Sequence, residues 1–233
     1  MKKNDGKAQP AWDAIHLALE RWRESLQGEA DGALAEPSVT TIAERYRNDP
    51  WAVLVSTILS LRTKDKVTLE ASKRLLEKAP GPAQLAALRE EDVAELIYPA
   101  GFYRNNAASL KKIAAILLEK HGGKVPADMD ALLALPGAGR KTANLVLIEA
   151  FDLPAICVDI HVHRISNRCG WLASKAPDDT EKILREILPR EYWKGLNALL
   201  VLYGQNLCRP VSPFCSRCVI AEHCAQVGVA RGR

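Results

Sequence analysis

The stretch Leu135-Pro136-Gly137-Ala138-Gly139-Arg140-Lys141-Thr142-Ala143 places a lysine directly after a Pro-Gly-X-Gly turn. Asp130 to Ala134 reads as the end of one helix. Arg140 to Phe151 (RKTANLVLIEAF) reads as another, with Ala143, Val146, Leu147 and Ala150 on one apolar face. Pro136 and the two glycines stop the first helix and permit a tight turn. A Gly-X-Gly turn that opens a helix presents several unpaired backbone N–H groups backed by the positive helix end, which suits a phosphate. Lys141 sits in the first turn of the second helix. A bare hairpin between packed helices would look the same in this stretch alone.

A second group of chemically capable residues lies at the other end of the chain. Of the six cysteines, four crowd together as Cys208, Cys215, Cys218 and Cys224, with the spacing C-x6-C-x2-C-x5-C. Disulfides need an oxidising compartment, and nothing in the sequence provides export. Structural zinc usually shows two close cysteine pairs. Here one pair is close, the other gaps are longer, and the loop contains Pro210 and Pro213. Four thiolates in one compact loop suit a [4Fe–4S] cluster, with zinc as the alternative. Cys157 and Cys169 lie in apolar surroundings and read as core cysteines.

The elements that must position these groups are almost entirely helical. The chain has 233 residues, 48% hydrophobic and 26% charged, and a formal net charge of +4. That describes a globular protein with ample core, mildly basic and so compatible with nucleic acid. There is no apolar run long enough to span a membrane. The first thirty residues lack a signal-peptide core, so a cytoplasmic, nucleoid-associated location is expected. Residues 1 to 10 read as loose, and Gly28 to Pro37 as a connector. Helical spacing is present over Trp12–Leu26, Thr40–Arg47, Trp51–Leu61, Asp65–Lys78, Pro82–Arg89, Glu91–Ile97 and Asn105–Lys120. It continues over Ala127–Leu135, Arg140–Phe151, Ile160–Cys169, Asp179–Leu188 and Glu191–Gln205. Asp49-Pro50 reads as an N-cap with a first-turn proline, and Asp65 as the cap of the helix it opens. Ala155 to Val158 is the only strand-like run, and it has no partner.

The turn LPGAGRKTAN, the following VDIHVHR (Val158 to Arg164) and the terminal cysteine pattern together resemble the endonuclease III family of helix-hairpin-helix DNA glycosylases. The resemblance runs from about Ile42 to Cys224, with the three motifs in the family's order and spacing. It implies an all-α fold of two helical domains flanking a DNA-binding cleft. One would be a continuous helical barrel at 43–153, carrying the hairpin. The other would combine 1–42 with 154–233 and hold the [4Fe–4S] loop at 208–224. It implies action on damaged double-stranded DNA; no membrane partner is expected, and a monomer is the default expectation with no motif behind it.

Carried over by position, Lys141 would be the nucleophile and Asp159 its acidic partner. The transition state for losing a base from C1′ resembles an oxocarbenium ion, which a nearby carboxylate stabilises. An amine that attacks C1′ forms a Schiff base, and β-elimination then cuts the strand. Lys141 could instead only bind phosphate, and Asp159 could only cap the helix starting near Ile160; capping and catalysis are compatible. The amides of Gly137 and Gly139 would hold backbone phosphate without reading sequence. The family commonly places a monovalent cation on the hairpin carbonyls, which the sequence neither shows nor excludes. The target base must leave the stack, and the resemblance assigns the wedge to Arg62 (in SLRTKD) and Phe102 (in GFYRNN). Here the chain departs from the common bacterial pattern of glutamine and leucine. Arginine cannot accept a hydrogen bond, so the preference for the opposite base is open, and a phosphate clamp is the simpler role for Arg62. His161 resembles a DNA-contacting histidine, with a solvated surface residue as the bland alternative.

These residues imply a bifunctional glycosylase and lyase for oxidised pyrimidines. One rival is a monofunctional mismatch glycosylase of the same fold, removing adenine or mispaired thymine or uracil; such relatives usually lack lysine at this place. The other is a non-catalytic iron–sulfur DNA-binding module, against which the pairing of Lys141 with Asp159 argues.

Overall fold

The structure, a computed structural model, describes residues 9–28 and 38–233. Of the expected loose segment at 1–10, residues 1–8 lie outside the described residues, as do residues 29–37 of the expected connector, whose first residue, Gly28, ends the first helix. Among the described residues there are twelve α-helices and no strand. By their contacts the residues form two compact units, divided at 34/35 and 155/156.

The hairpin unit contains α2 (Ser38–Arg45), α3 (Pro50–Ser60), α4 (Asp65–Lys78), α5 (Pro82–Ala87), α6 (Glu90–Ile97), α7 (Tyr103–Lys120), α8 (Met129–Leu133) and α9 (Arg140–Phe151). Its centre is α3, in which every residue from Trp51 to Leu59 is buried. A helix apolar all round can only be a core helix, and α3 packs against α2, α4 and α9. Its two buried hydroxyls turn inward to the helix's own backbone: Ser56 and Thr57 donate to the Val53 carbonyl at 3.1 and 2.7 Å. The Asp49 side chain accepts from the Ala52 amide at 2.9 Å, as the Asp-Pro start predicts. α7 lies against α5 and α6.

Asp65 departs from its expected role. It is the first residue of α4, whose N-cap position is Lys64. Its carboxylate accepts instead from the amide and hydroxyl of Ser38, at 3.1 and 2.8 Å, and so ties down the start of α2. The sequence boundary between 42 and 43 falls inside α2, because Val39, Ile42 and Ala43 all pack into the core of this unit.

The terminal unit contains α1 (Trp12–Gly28), α10 (Ile160–Arg168), α11 (Pro177–Ile187) and α12 (Leu196–Asn206). α10 and α12 form its main contact, with α1 against α12 and α11 against α10. The run expected as one helix over Glu191–Gln205 breaks into a short 3₁₀ turn at Arg190–Tyr192 and then α12. Residues 152–159 are irregular, and 155–158 are buried without pairing into a sheet. After α12 the chain has only 3₁₀ turns, at Cys215–Arg217 and Ala221–His223.

Candidate active site

α8 ends at Leu133, and the chain turns through Gly137 at φ 79°. That left-handed value is strained for any residue with a Cβ, so this glycine is demanded by the turn itself. Gly139 is different. It is the N-cap of α9 at φ −89° and ψ −180°, extended backbone open to any residue, and a Cβ there would meet nothing within 4 Å. Nothing in the surrounding protein requires its bareness, whereas a close-approaching ligand would. Among the described residues neither the Gly137 nor the Gly139 amide donates to another backbone carbonyl. The positive end of α9 lies behind them.

Lys141 is exposed in the first turn of α9, while Thr142, Ala143, Val146 and Leu147 behind it are buried. It opens onto a concavity of about 440 Å³, which Gly137, Gly139, Arg62, Phe102 and Asn106 also line. Residues read from three separated stretches of sequence thus meet at one concavity. The lysine is neither walled in by protein nor stranded away from a groove.

In the terminal unit, Asp159 is the half-buried N-cap of α10. Its Oδ1 accepts from the amides of His161 and Val162 at 2.8 and 2.9 Å. The cap uses one oxygen for both bonds, which fixes the carboxylate plane while Oδ2 takes no part in it. His161 is half-buried rather than a free surface ring. Its Nδ1 lies 3.1 Å from Arg164 Nη2, and a Cβ on Gly204 of α12 would come within 2.5 Å of it. His163 turns to Thr180 at 2.6 Å and serves the packing of α10 on α11.

Cys208, Cys215, Cys218 and Cys224 all line one cavity, whose remaining wall includes Leu207, Phe214 and Ile220. Three of the four sulfurs make a polar contact. Arg168 Nη1 donates to Cys208 Sγ at 3.3 Å, the Tyr203 hydroxyl lies 3.0 Å from Cys218 Sγ, and the Gln226 amide donates to Cys224 Sγ at 3.4 Å. Burial pushes the Cys208 and Cys215 thiols up. Cys224 is pulled down to about 6, first by a hydrogen bond from the Cys169 thiol. Among the described residues no three Cys, His, Asp or Glu side chains converge as a single metal ion requires.

A family model described as "HhH-GPD superfamily base excision DNA repair protein" matches residues 55–190. Endonuclease III of Thermotoga maritima is 47% identical over 176 residues, 76% of this chain and 83% of that one. The chloroplastic endonuclease III homolog 1 of Arabidopsis thaliana is 36% identical over 95% of this chain, which there spans 60% of its length. The protein of a non-covalent endonuclease III–DNA complex superposes with a TM-score of 0.73 at 31% identity, covering 93% of this chain and 96% of that one. This chain belongs to the endonuclease III family. It is therefore a base excision repair enzyme of the helix-hairpin-helix glycosylase class, and the all-α fold with its hairpin at 134–140 is the family's.

Sequence reading missed several residues that hold the endonuclease III site in place. One is Arg164 of α10. Its Nη2 donates to the carbonyls of Gly204 and Cys208, at 3.1 and 2.9 Å, and its partial burial lowers its pKa. Arg168 also donates to the carbonyls of Arg209 and Pro210, at 2.8 and 3.0 Å. Both arginines stand four apart on α10 and clamp the entrance to the cysteine loop. Tyr203 is fully buried, and Cys169 lines the sulfur cavity as a fifth thiol. Only the i, i+4 spacing of the arginines could have pointed to a shared face, and it does not say which loop that face meets.

Proposed function

We propose that this protein is a bifunctional DNA glycosylase and lyase that removes oxidised pyrimidines from duplex DNA. The observation that carries the reading is the exposed Lys141, set beside the open Gly137 and Gly139 amides in one pocket. The hairpin amides hold a backbone phosphate and so bring the sugar to the amine. Lys141, in its neutral form, attacks C1′. The glycosidic bond breaks, and its electron pair leaves with the base, which takes up a proton. The nitrogen then loses a proton, the C1′–O4′ bond opens with O4′ taking up a proton, and the resulting iminium acidifies the C2′ hydrogen. Loss of that proton expels the 3′ phosphate by β-elimination and cuts the strand. Asp159 stabilises the cationic sugar, and its cap on α10 holds the carboxylate without side-chain search. His161 and the wedge residues Arg62 and Phe102 contact the opened duplex.

Cys208, Cys215, Cys218 and Cys224 would hold a [4Fe–4S] cluster. The residues fit such a group: four cysteines of one compact loop line one cavity, two of their sulfurs accepting from Arg168 and the Gln226 amide. When bound, the cluster fixes the loop rather than supplying electrons to the lesion chemistry. The hairpin carbonyls would carry a monovalent cation.

Borohydride trapping on duplex containing thymine glycol tests the reading. The wild type should give a covalent adduct and a cut strand. Lys141→Gln should give neither, yet still bind the damaged duplex. Base release without an adduct in the wild type would instead make the protein a monofunctional glycosylase.

A further inference from the structure

The residues after the last of the four cysteines turn back over the loop they have just left. Ala225 and Val227 begin the return. Their amides donate to the carbonyls of Cys169 and Arg168 at the end of α10, at 3.0 and 2.8 Å. Gln226 and Gly228 reverse the chain in the left-handed region, at φ 51° and 72°. The far end is clamped twice. The Arg233 amide donates to the Pro213 carbonyl, and the Ser216 amide donates to the Arg233 carbonyl, both at 2.8 Å. Cys215 lies in the chain between those two anchor points. The Arg233 guanidinium also lies 5.2 Å from the centroid of the Phe214 ring, and its Nε donates to Ser212 Oγ at 3.2 Å.

Cys215 is the cysteine that this return covers. Among the described residues its sulfur is the one of the four without a polar contact, whereas Arg168 and Tyr203 reach those of Cys208 and Cys218. Gly232 comes close to it: a Cβ there would lie 3.0 Å from Cys215 Sγ and 3.1 Å from its Cβ. The Gly232 backbone is outside the left-handed region, so the turn geometry does not call for glycine. The approach to the sulfur does. Gln226 and Val229 line the same cavity as the four cysteines. Most of 225–233 is nonetheless exposed, and only Val229 is half-buried. A segment held by polar contacts at its two ends, with little apolar burial between, opens locally while the core stays closed.

We propose that residues 225–233 form a strap over the Cys215 side of the sulfur cavity, and that iron enters or leaves the cysteine loop when the far end of the strap lifts. This rests on the cluster reading above. Elsewhere the cavity wall is core packing: Tyr203, Leu207 and Ile220 are all buried. The far end of the strap is held by two backbone hydrogen bonds and the contacts of one arginine. It is therefore the wall that opens at least cost. Lifting it frees Cys215 to swing outward while α10 and α12 keep their packing. Gly232 and Arg233 act as the latch of this gate, and neither belongs to the hairpin pocket that Lys141 lines.

The test is the rate at which iron passes from the iron-loaded protein to excess EDTA, followed by loss of visible absorbance, together with amide hydrogen exchange at Ser216. Local opening governs both when reclosure is fast. Gly232→Val drives a side chain against the Cys215 sulfur and should speed iron loss by at least about fivefold, the shift from one lost backbone hydrogen bond. Ending the chain after Arg231 should do the same. Arg233→Ala keeps both backbone bonds and should give about two- to fivefold. Arg231→Ala removes an equal charge from the strap and should leave iron loss unchanged, which separates latching from attraction of the anionic chelator. Exchange at Ser216 should quicken in step with iron loss, while exchange in α12 stays constant. Unchanged iron loss in either Gly232→Val or the shortened chain would overturn the proposal, as would equal acceleration in Arg231→Ala. Wild-type protein purified without iron and sulfide would defeat the cluster reading itself, whereas bound iron whose release ignores the strap defeats only this inference.

Discussion

Lys141 stands on a helix whose other side is apolar core, whereas the four terminal cysteines stand on a loop that contains no α-helix. Behind Lys141, the residues Ala143, Val146 and Leu147 pack toward α3, where Leu54, Val55 and Leu59 are fully buried. Each large aliphatic side chain so buried contributes about 1.5–3 kcal/mol. The hairpin is thus held by non-directional packing that a local change does not readily loosen. The loop from Cys208 to Cys224 is held by named polar links: Arg164 and Arg168 to its carbonyls, Tyr203 and the Gln226 amide to its sulfurs. The comparison teaches that a helix can present chemistry on one face because its other face is anchored. A loop with few apolar anchors, here Ile220 and Phe214, depends more on side chains sent from elsewhere.

Three substitutions probe this contrast. The largest effect should come from Leu54→Ala, which empties fully buried volume in α3 and should cost about 2–5 kcal/mol in denaturant unfolding. The loss should be confined to the hairpin unit, with hydrogen exchange in 208–224 unchanged; a matching rise there would mean that packing secures both regions. Arg168→Ala should cost less, about 1 kcal/mol, because the bonds to Arg209 and Pro210 are partly exposed. Exchange should quicken through 208–217 and stay constant in α3, and uniform protection would show that the arginine clamp is dispensable.

The smallest effect on stability should come from Asp159→Asn, since asparagine caps a helix as well as aspartate does. Unfolding should shift by less than about 0.5 kcal/mol, while base removal slows strongly and cleavage at a pre-formed abasic site slows less. A large fall in stability would show that the negative charge serves the fold rather than the reaction.

The sequence alone determined the helices and the chemically capable residues, because both are encoded locally. The Arg140–Phe151 helix, the Asp49-Pro50 start and the glycine at 137 follow from apolar period, capping chemistry and a left-handed turn, each settled within a few neighbouring residues. Lys141 and the four cysteines were legible by type and spacing. Only the tertiary structure decided which partners those residues meet. Asp65 could cap its own helix or reach across to Ser38, and nothing near it in sequence distinguishes the two. Arg164 and Arg168 could face water or the loop more than forty residues later. The approach of the Arg62 guanidinium to the Phe102 ring depends on two loops forty residues apart meeting at the backbone. Local pattern fixes a residue's conformation, but long-range contacts are selected by the packing of the whole unit, and no short window of sequence contains that choice.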